Sequence, residues 1–540
     1  MTLTAGPTCE PEPFDAFLRW GAENGLTQPL EPSASGIRGA IVALYGKKFT
    51  VAPERHAAIA DAVVAALETR GRFYYDDSLC DFPSSMFFDS TDKILRKLSS
   101  DVFDAWLSKW TAVNRADAVF KFIKSAILTA ALDGDRASAI IPENYWAARE
   151  GAIYLSNGDG RMVKITSSGL EHVDNGTDDV LFAAGRTMLP WQPTAPEDPF
   201  ECCELFRSIS CTDEHGRDLL RTWITSLPTN PKCKPPLALS GSVGSGKTRA
   251  AKGIAELFGI PFRAVKVDEK RQSDFWPSLE QGGLLTIDNA DTKVSWLADA
   301  IAAAATDGSS EKRKLYNNSE TVTLHPKAWM AITSANATFA ADPGLADRLI
   351  VVRLDRRTGN TSDSALSEQI AAKRDACLSF IARALSCALG DAGPVPDSLN
   401  SRHPDWAAFA VRIGRATERE QETVTALQAG EKDKARFCLE NDEVGALIMA
   451  AVAEHNLVEG EASELILIVE PDGYGPRKLT TQKLGKRLND LWPHLEVVYD
   501  ARQTPLRSRG KSYRLTRRGW SGAVDGEGGE GVLGVLGKVV

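Results

Sequence analysis

The sequence predicts a mixed α/β protein built around a parallel sheet with helices on its faces. Three observations lead to this prediction. Apolar strands alternate with helical segments between residues 201 and 360. A glycine-rich loop joins one of these strands, 237–239, directly to a helix that begins at Lys247. The chain has 540 residues, of which 43% are apolar and 25% charged, so it is long enough for about three to four folded domains.

Charge and hydropathy exclude some classes of protein. The formal net charge of −9 argues against a chain that coats nucleic acid with its whole surface, although one basic face remains possible. No apolar run approaches the roughly 18 residues that a membrane span requires. The first residues lack the basic and apolar segments of a signal peptide. We therefore expect a protein of the bacterial or host-cell cytoplasm with no membrane partner.

The cysteines do not follow a metal-binding pattern. The nine cysteines include no Cys-x-x-Cys pair. Cys202, Cys203 and Cys211 lie close in sequence, but only His215 is nearby, and no familiar zinc spacing results. Reduced and mostly buried thiols are therefore favoured over a zinc site.

The first 200 residues divide into two predicted regions. Residues 1–140 read as a mostly helical assembly or regulatory region, interrupted by short strands in "RFYYDD" and "SMFFDS". Residues 141–200 read as a β-rich connector, because "GAIYLSNGDGRMVKITSSGLEHV" alternates apolar and polar positions around a hairpin signal, Asn157-Gly158 and Asp159-Gly160.

The strongest motif in the chain is "GSVGSGKT", residues 241–248. It fits G-x-x-x-x-G-K-[ST] between a strand and a helix, the context in which backbone N–H groups and the helix N-terminus bind phosphate. Lys247 is expected to reach the β- and γ-phosphates of a nucleotide, and the Thr248 hydroxyl to bind Mg²⁺. The predicted nucleotide-binding residues are Gly241, Ser242, Val243, Gly244, Ser245, Gly246, Lys247, Thr248 and Arg249.

Three polar residues follow at the ends or starts of later strands. Asp288 ends the apolar strand in "GGLLTIDNAD", where it can hold Mg²⁺ with Thr248. Asn336 ends the strand in "AWMAITSAN" and could orient the attacking water. Arg348 precedes a further strand, and an exposed arginine there could reach the site of a neighbouring subunit. Taken singly, Asn336 could be a turn residue and Arg348 a surface ion pair.

This part of the chain resembles the ATPase module of poxvirus- and satellite-phage-type primase–helicases. These are relatives of the superfamily 3 helicases within the AAA+ class. The matching features are Asp288-Asn289, the run 296–299, "RKLYNN" and "LADR", and the resemblance extends over roughly residues 140 to 500. It implies an AAA+ P-loop ATPase core over 201–360, a helical lid over 361–438, ATP and Mg²⁺ as cofactors, and a homo-oligomeric, hexameric ring.

The strand that ends at Asp288 lacks the glutamate that often follows such an aspartate. Asn289 occupies that position, and by resemblance this is a variant typical of the branch, so we predict an active ATPase in which Asn289 takes part. Asp291 is a candidate for the water-activating group, with its role left open. A weak base is sufficient if catalysis depends mainly on positioning and charge stabilisation.

A basic hairpin is predicted between the two catalytic strands. Residues 312–316 and 320–324 can pair across a turn at Asn317-Asn318. The resemblance implies that this hairpin projects into the pore of the ring, where Lys312, Arg313 and Lys314 would contact phosphates and Tyr316 would stack on a base. The alternative is a solvated charged hairpin.

The C-terminal unit, residues 439–520, is predicted to be a winged-helix DNA-binding domain. Residues 475–520 hold twelve Lys/Arg against three Asp/Glu, a local balance of +9. A helix capped by Thr480 or Thr481 should place Leu484 and Leu488 inward, and two strands with an arginine-rich loop should follow. The predicted DNA contacts in this unit are Lys483, Lys486, Arg487, Arg507, Arg509 and Lys511. A basic protein-interaction module is the alternative, and the glycine-rich tail 521–540 is predicted to be disordered.

The function predicted from these features is that of a ring-forming, ATP-dependent DNA helicase or translocase of a phage, plasmid or other mobile element. Its expected partners are single-stranded and forked DNA and further copies of itself, with a primase or other replication protein as a candidate. Residues 1–200 show no zinc-ribbon cysteines, and "YYDD" at 74–77 more often caps a turn than forms a catalytic pair, so primase chemistry is not expected. Two alternatives stay open: a DNA-stimulated loader or remodeller, and a nucleotide-switched origin-binding initiator that does not unwind DNA.

Overall fold

A computed structural model describes most of the chain. The described residues are 34–76, 84–306, 308–313, 321–357, 361–399, 401–469, 479–506 and 510–520. Among the helices in these ranges, none combines the length and apolarity needed to cross a membrane. The predicted disordered tail lies outside the described residues, as do Lys314, Tyr316, Arg507 and Arg509.

The N-terminal unit packs four helices against a four-stranded sheet. Its elements are α1 (Ala34–Gly46), α2 (Ala52–Arg70), β1 (Gly71–Asp76), β2 (Ser84–Asp89), β3 (Ile94–Lys97), α3 (Asp101–Thr111), α4 (Ala118–Ala130) and β4 (Ala137–Ile140). The strand order is β3-β2-β1-β4, with only the β1–β4 pair parallel. The two predicted aromatic strands are β1 and β2, and Phe73 and Phe87 on them are buried between sheet and helices.

Residues 146–174 form an antiparallel meander. Its strands are β5 (Trp146–Arg149), β6 (Ala152–Ser156), β7 (Arg161–Thr166) and β8 (Gly169–Asp174), paired in sequence order. The tight turn between β6 and β7 spans residues 157–160, where the sequence predicts it. These strands lie within the predicted β-rich region 141–200.

The central unit is a five-stranded parallel sheet. Its elements are α5 (Pro199–Cys202), α6 (Glu204–Arg207), α7 (Gly216–Ser226), β9 (Leu237–Ser240), α8 (Lys247–Phe258), β10 (Arg263–Lys266), α9 (Gln272–Glu280), β11 (Leu284–Asp288), α10 (Leu297–Ala305), β12 (Ser310–Arg313), β13 (Thr321–Leu324), β14 (Trp329–Ser334), α11 (Pro343–Ala346) and β15 (Ile350–Arg353). The sheet order is β10-β11-β14-β9-β15, and every pairing is parallel. The predicted α/β class is confirmed.

The sheet is buried on both faces, as the continuous apolar strands predict. All six residues of β14 and the first four of β11 are buried. Gly283, just before β11, has φ of 66°, and a Cβ there would lie 2.8 Å from the Tyr145 ring. A side chain at this position would therefore separate β11 from the segment that leads into the meander. Trp146, the next residue after Tyr145, packs against Phe258 of α8, with ring centroids 5.4 Å apart.

Three long helices follow the central sheet. They are α12 (Asp363–Gly390), α13 (Pro404–Ala416) and α14 (Glu420–Asn441). The side chain of Ser362 caps α12 by accepting a hydrogen bond from the N–H of Ala365. Arg353, at the end of β15, pairs with Asp433 and Glu440 and so holds α14 on the sheet edge. These helices span most of the region 361–438.

The C-terminal unit has the element order helix, strand, helix, helix, strand, strand. These are α15 (Glu443–His455), β16 (Leu457–Glu461), α16 (Ala462–Val469), α17 (Thr481–Val498), β17 (Asp500–Pro505) and β18 (Lys511–Thr516). The sheet order is β16-β18-β17, with antiparallel pairs. Thr480 caps α17 through a hydrogen bond from the N–H of Lys483, and Leu484 and Leu488 are fully buried.

Candidate functional site

The glycine-rich loop, residues 241–246, joins the carboxyl end of β9 to the N-terminus of α8. Gly241, Gly244 and Gly246 have φ of 158°, 85° and 84°, the region that favours glycine. A Cβ on Gly241 would overlap the backbone carbonyl oxygen of Leu354. The loop therefore needs glycine both for its turn and for its contact with the segment after β15, and it leaves Val243 85% exposed at its tip.

Lys247 begins α8 and is only 8% exposed. Its ammonium group donates to the backbone oxygens of Gly241 at 2.6 Å and Ser242 at 2.9 Å, and to the Ser245 hydroxyl at 3.3 Å. Burial lowers the pKa of Lys247, and the nearby Asp291 and Asp288 oppose that shift. The loop thus carries a cation at its centre, held by oxygens of the loop itself.

A hydroxyl and a carboxylate meet beside this loop. Thr248 Oγ1 donates to Asp288 Oδ1 at 2.7 Å, and Thr333 Oγ1 donates to the same oxygen at 2.7 Å. Hydroxyl and carboxylate oxygens are ligands that Mg²⁺ takes, so Thr248 and Asp288 fit the predicted magnesium site. The prediction did not include Thr333, which is fully buried on β14 and holds the Asp288 carboxylate through the same oxygen that Thr248 contacts.

Asn289 lies next to the second oxygen of Asp288. Its side-chain amide donates to Asp288 Oδ2 at 3.4 Å, and its backbone N–H donates to Thr333 Oγ1 at 3.0 Å. The residue has φ of 55°, a conformation that asparagine tolerates better than glutamate does. The backbone that follows β11 therefore suits asparagine at this position.

Asp291 ties the turn after β11 to the turn after β14. Its Oδ1 accepts from the Ser334 hydroxyl at 2.7 Å, the Ala335 N–H at 2.6 Å and the Asn336 N–H at 3.0 Å. Burial raises the pKa of Asp291, but these hydrogen bonds outweigh it and hold the pKa below its usual value. The sequence-based interpretation of Asp291 as a water-activating base is thus not favoured, because the carboxylate anchors the segment that presents the exposed Asn336.

Arg348 differs from the exposed side chain expected from the sequence. It is half-buried, its Nη1 donates to the carbonyl oxygen of Gly344, and its Nε is buried without a hydrogen-bond partner. The residue precedes β15, which runs parallel to β9, so it lies at the edge of the sheet opposite the glycine-rich loop. Arg348 therefore cannot join the loop of its own chain through a small movement. Its backbone oxygen accepts from Nε2 of the buried His403 at 3.1 Å.

Arg249, predicted as a nucleotide contact, is engaged elsewhere. Its guanidinium pairs with Glu256 at 2.9 Å and with Asp363 at 3.4 Å, and it donates to the Ser367 hydroxyl at 3.1 Å. These partners lie on α8 and on α12, so Arg249 fastens the two helices together. The prediction for Arg249 is corrected, because these partners occupy its guanidinium. The partners on α12 are more than 100 residues away in sequence, so the local sequence does not reveal them.

Arg357 is a residue of the loop region that the sequence did not single out. Its backbone N–H donates to the carbonyl oxygen of Gly244 at 3.3 Å, and its Cδ lies 3.9 Å from the position of a Cβ on Gly246. Among the described residues, its Nε and Nη2 are buried without a hydrogen-bond partner. A cation with unsatisfied donors against a predicted phosphate loop is a candidate anion contact. In the sequence, the signal is the pair Arg356-Arg357 shortly after β15.

Part of the predicted basic hairpin lies in the described residues. β12 and β13 pair antiparallel, with Lys312 opposite Val322 and Arg313 opposite Thr321. The described pairs join 310–313 to 321–324, which overlap the predicted ranges 312–316 and 320–324. The predicted turn, Lys314 and Tyr316 lie outside the described residues.

The basic residues of the C-terminal unit fall into two groups. Lys483, Lys486 and Lys511 are exposed, and Lys511 donates to the neutral Asn489 and Gln503. Arg487 is directed inward, in contrast to the prediction: its guanidinium pairs with Asp442 at 2.8 Å and donates to the carbonyl oxygen of Ala341 at 2.6 Å. Arg487 therefore joins α17 to the N-terminus of α15 and to the central unit.

Comparison with known proteins yields distant structural similarity only. No protein-family profile matches the sequence, and no curated protein matches it. The chain is similar to the A form of the apo NrS-1 C-terminal region, with 10% identity and a TM-score of 0.39 over 83% of this chain and 98% of that one. It is also similar to an apo structure of the same region, residues 305–718, with 11% identity and a TM-score of 0.39 over 84% and 97%. Values this low assign neither a fold nor a function.

Proposed function

We propose that this protein is a Mg²⁺- and ATP-dependent helicase or translocase that moves on single-stranded DNA and splits ATP where two copies of the chain meet. One observation carries the proposal. The glycine-rich loop, the Thr248–Asp288 pair and the Asn336 turn converge at one edge of a parallel sheet of order β10-β11-β14-β9-β15. Ligands of open parallel sheets bind at the carboxyl ends of the strands, where these residues lie.

Each of these residues has a separate task in the proposed reaction. The loop N–H groups and Lys247 bind phosphate oxygens, for which Lys247 exchanges its bonds to the loop carbonyls. Thr248 and Asp288 hold Mg²⁺, which would neutralise charge on the phosphates when bound. Asn336, kept in place by Asp291, orients the attacking water. Asn289 stabilises the Asp288 carboxylate by donating a hydrogen bond to its Oδ2.

The position of Arg348 supports hydrolysis at a subunit interface. It lies at the edge of the sheet opposite its own loop, so a contribution to phosphoryl transfer has to go to another copy. The side chain would leave the Gly344 carbonyl, and its unpartnered Nε supplies a further donor. Such an arginine stabilises the charge that develops on the transferred group.

The C-terminal unit supports DNA as the second ligand. Its order of helix, strand, helix, helix, strand, strand agrees with the expectation of a winged helix, in which the last helix and the following hairpin would face the duplex. Lys483 and Lys486 are exposed on that helix, and Lys511 opens β18 in the hairpin. The +9 balance of residues 475–520 is concentrated on this unit while the whole chain carries −9.

Strand displacement on a forked DNA substrate tests the proposal. The wild-type protein with Mg²⁺ and ATP should displace the strand, and Lys247→Ala should abolish displacement and ATP hydrolysis. Lys252→Ala is the matched control, since Lys252 is an exposed lysine on the same helix. DNA-stimulated hydrolysis without displacement would favour a loader or remodeller. Site-specific duplex binding with little turnover would favour an initiator, and a protein whose turnover ignores DNA would contradict the proposal.

A further inference from the structure

Three cysteine thiols meet outside the candidate nucleotide site. Cys202 ends α5, Cys203 follows it, and Cys377 lies on α12, more than 170 residues later. The Sγ–Sγ distances are 3.4 Å for Cys202–Cys377 and 3.8 Å for both Cys202–Cys203 and Cys203–Cys377. Cys203 and Cys377 are fully buried, whereas Cys202 is half-buried. Cys211, the neighbour that the sequence suggested, does not take part.

These distances fit the ligands of a single metal ion. A zinc–thiolate bond is about 2.3 Å long, so two thiolates of a tetrahedral zinc lie about 3.8 Å apart, whereas three in one plane would lie about 4.0 Å apart. The observed separations therefore favour a tetrahedral ion, and the half-buried Cys202 leaves the cluster accessible to solvent. They are far longer than the roughly 2.05 Å of a disulfide bond.

We propose that Cys202, Cys203 and Cys377 form a three-thiolate Zn²⁺ site that fastens α5 to α12, with a water molecule as the fourth ligand. The inference is independent of the proposed helicase function. Binding replaces the thiol protons by sulfur–zinc bonds, so up to three protons pass to solvent for each ion bound, and no oxidant is involved.

A positively charged side chain lies near the three thiols. Lys373 is held near the cluster by Glu197, with Nζ–Oε distances of 2.9 and 3.0 Å. Three thiolates and one Zn²⁺ carry a net charge of −1, which the Lys373 ammonium can balance.

Binding of Zn²⁺ would cross-link two segments that pack against α8. Leu205 in α6 and Ile370 in α12 both approach Gly253 of that helix. Zn²⁺ would thus clamp the two segments that cover the helix beginning at Lys247.

The experiment uses the full-length, reduced protein after treatment with a chelator. Cd²⁺ is titrated first, because its thiolate charge-transfer absorption reports sulfur ligands and ignores the Thr248–Asp288 oxygens. We expect one Cd²⁺ per chain, release of protons on binding, and the same absorption band when Cd²⁺ displaces Zn²⁺ that was bound first. Loss of a residue that hydrogen-bonds to a metal ligand already costs roughly 10–100-fold in affinity. Loss of a ligand itself costs more, so Cys202→Ser and Cys203→Ser should each weaken binding by about 100-fold or more.

Cys438→Ser is the matched control, since Cys438 is buried on α14 away from the cluster. Cys202→Ser is the variant expected to disturb folding least, because Cys202 is the least buried of the three. Circular dichroism without metal checks that each variant is folded. The proposal is overturned if the wild type shows no thiolate band, if the serine variants bind as tightly as Cys438→Ser does, or if mass spectrometry of protein purified without reductant finds two of the three cysteines joined as a disulfide.

Discussion

Asp291 Oδ1 accepts a hydrogen bond from the backbone N–H of Asn336 over 3.0 Å, and in this way the turn after β11 holds the turn after β14. The same oxygen accepts from Ser334 and Ala335. A carboxylate that accepts several donors orders the backbone around it, since charged hydrogen bonds are the stronger ones. Asp291 is therefore a positioning residue for Asn336.

Asp291→Asn should lower kcat for ATP hydrolysis and leave KM nearly unchanged. The amide is close in shape to the carboxylate but lacks its charge, so the segment that presents Asn336 loosens. Misplacement of a catalytic group by about 1 Å can cost about 100-fold, and we expect a loss of about 10–100-fold in kcat. Steady-state kinetics measure it, with Asp299→Asn, an exposed carboxylate on α10, as the control. A raised KM with unchanged kcat would instead assign Asp291 to nucleotide binding.

Thr333→Val should reduce activity although the change conserves the shape of a fully buried side chain. Asp288 Oδ1 loses one of its two hydroxyl donors, and the Asn289 N–H loses its acceptor. A hydrogen bond to a charged group contributes about 1.5–3 kcal/mol, which corresponds to roughly 10–100-fold in kcat or in the Mg²⁺ concentration required.

Thr286→Val is the matched control for this change. Thr286 is equally buried on β11, and its hydroxyl has no hydrogen-bond partner. Its loss should leave kcat unchanged and the protein at least as stable, because replacing an unsatisfied buried hydroxyl removes a desolvation cost. Equal losses of activity in both valine variants would show that the effect comes from packing.

Local chemistry in the sequence predicted those parts of the molecule that depend on neighbours in the chain. The glycine-rich loop required a strand before it and a helix after it, and both are present. Asp288 and Asn336 share an edge because the carboxyl ends of parallel strands meet there. The Thr480 cap and the buried Leu484 followed from helical spacing alone.

Side chains whose partners are distant in sequence could not be predicted in this way. Arg487 was expected to face outward by its helical position, but Asp442, 45 residues earlier, draws it inward. Cys377 joins Cys202 only because α12 folds back over α5. A basic or thiol side chain does not reveal from its own neighbourhood which partner the tertiary structure will bring to it.

Mixing Lys247→Ala and Arg348→Ala proteins should restore ATP hydrolysis that neither variant shows alone. A competent site needs Lys247 from one chain and Arg348 from the next. In a random equal mixture about one interface in four combines them, so recovery should approach about a quarter of the wild-type rate. Hydrolysis is measured across mixing ratios after subunits have exchanged. Absence of recovery at every ratio would place Arg348 outside the neighbour's site.

The lysines of the C-terminal unit should affect the salt dependence of DNA binding, whereas Arg487 should not. Each phosphate contact contributes about one unit to the slope of log affinity against log salt concentration. Lys483→Ala and Lys486→Ala should each lower that slope by about one, as measured by fluorescence anisotropy with duplex DNA. Arg487→Ala removes the bond to Asp442 and should lower the thermal stability of the protein while keeping the slope. An unchanged slope in both lysine variants would contradict a DNA-facing role for α17.

His403 should make the protein less stable as the pH falls from about 6.5 to about 4. The residue is 2% exposed, and burial lowers its pKa to about 4. In the unfolded chain the pKa is about 6.5, so between these values the unfolded state binds the extra proton, and the free energy of unfolding falls as the solution is acidified. The full difference corresponds to about 3 kcal/mol at pH 4, and none of it is lost above pH 7.

His403→Gln keeps a donor for the Arg348 carbonyl but cannot titrate, so its unfolding free energy should fall less steeply over this range in urea titrations. His172→Gln, an exposed histidine on β8, is the control and should follow the wild type. The wild-type dependence of unfolding free energy on pH in His403→Gln would mean that the His403 imidazole is solvated in the folded protein. That result would contradict the burial of His403 beside Arg348.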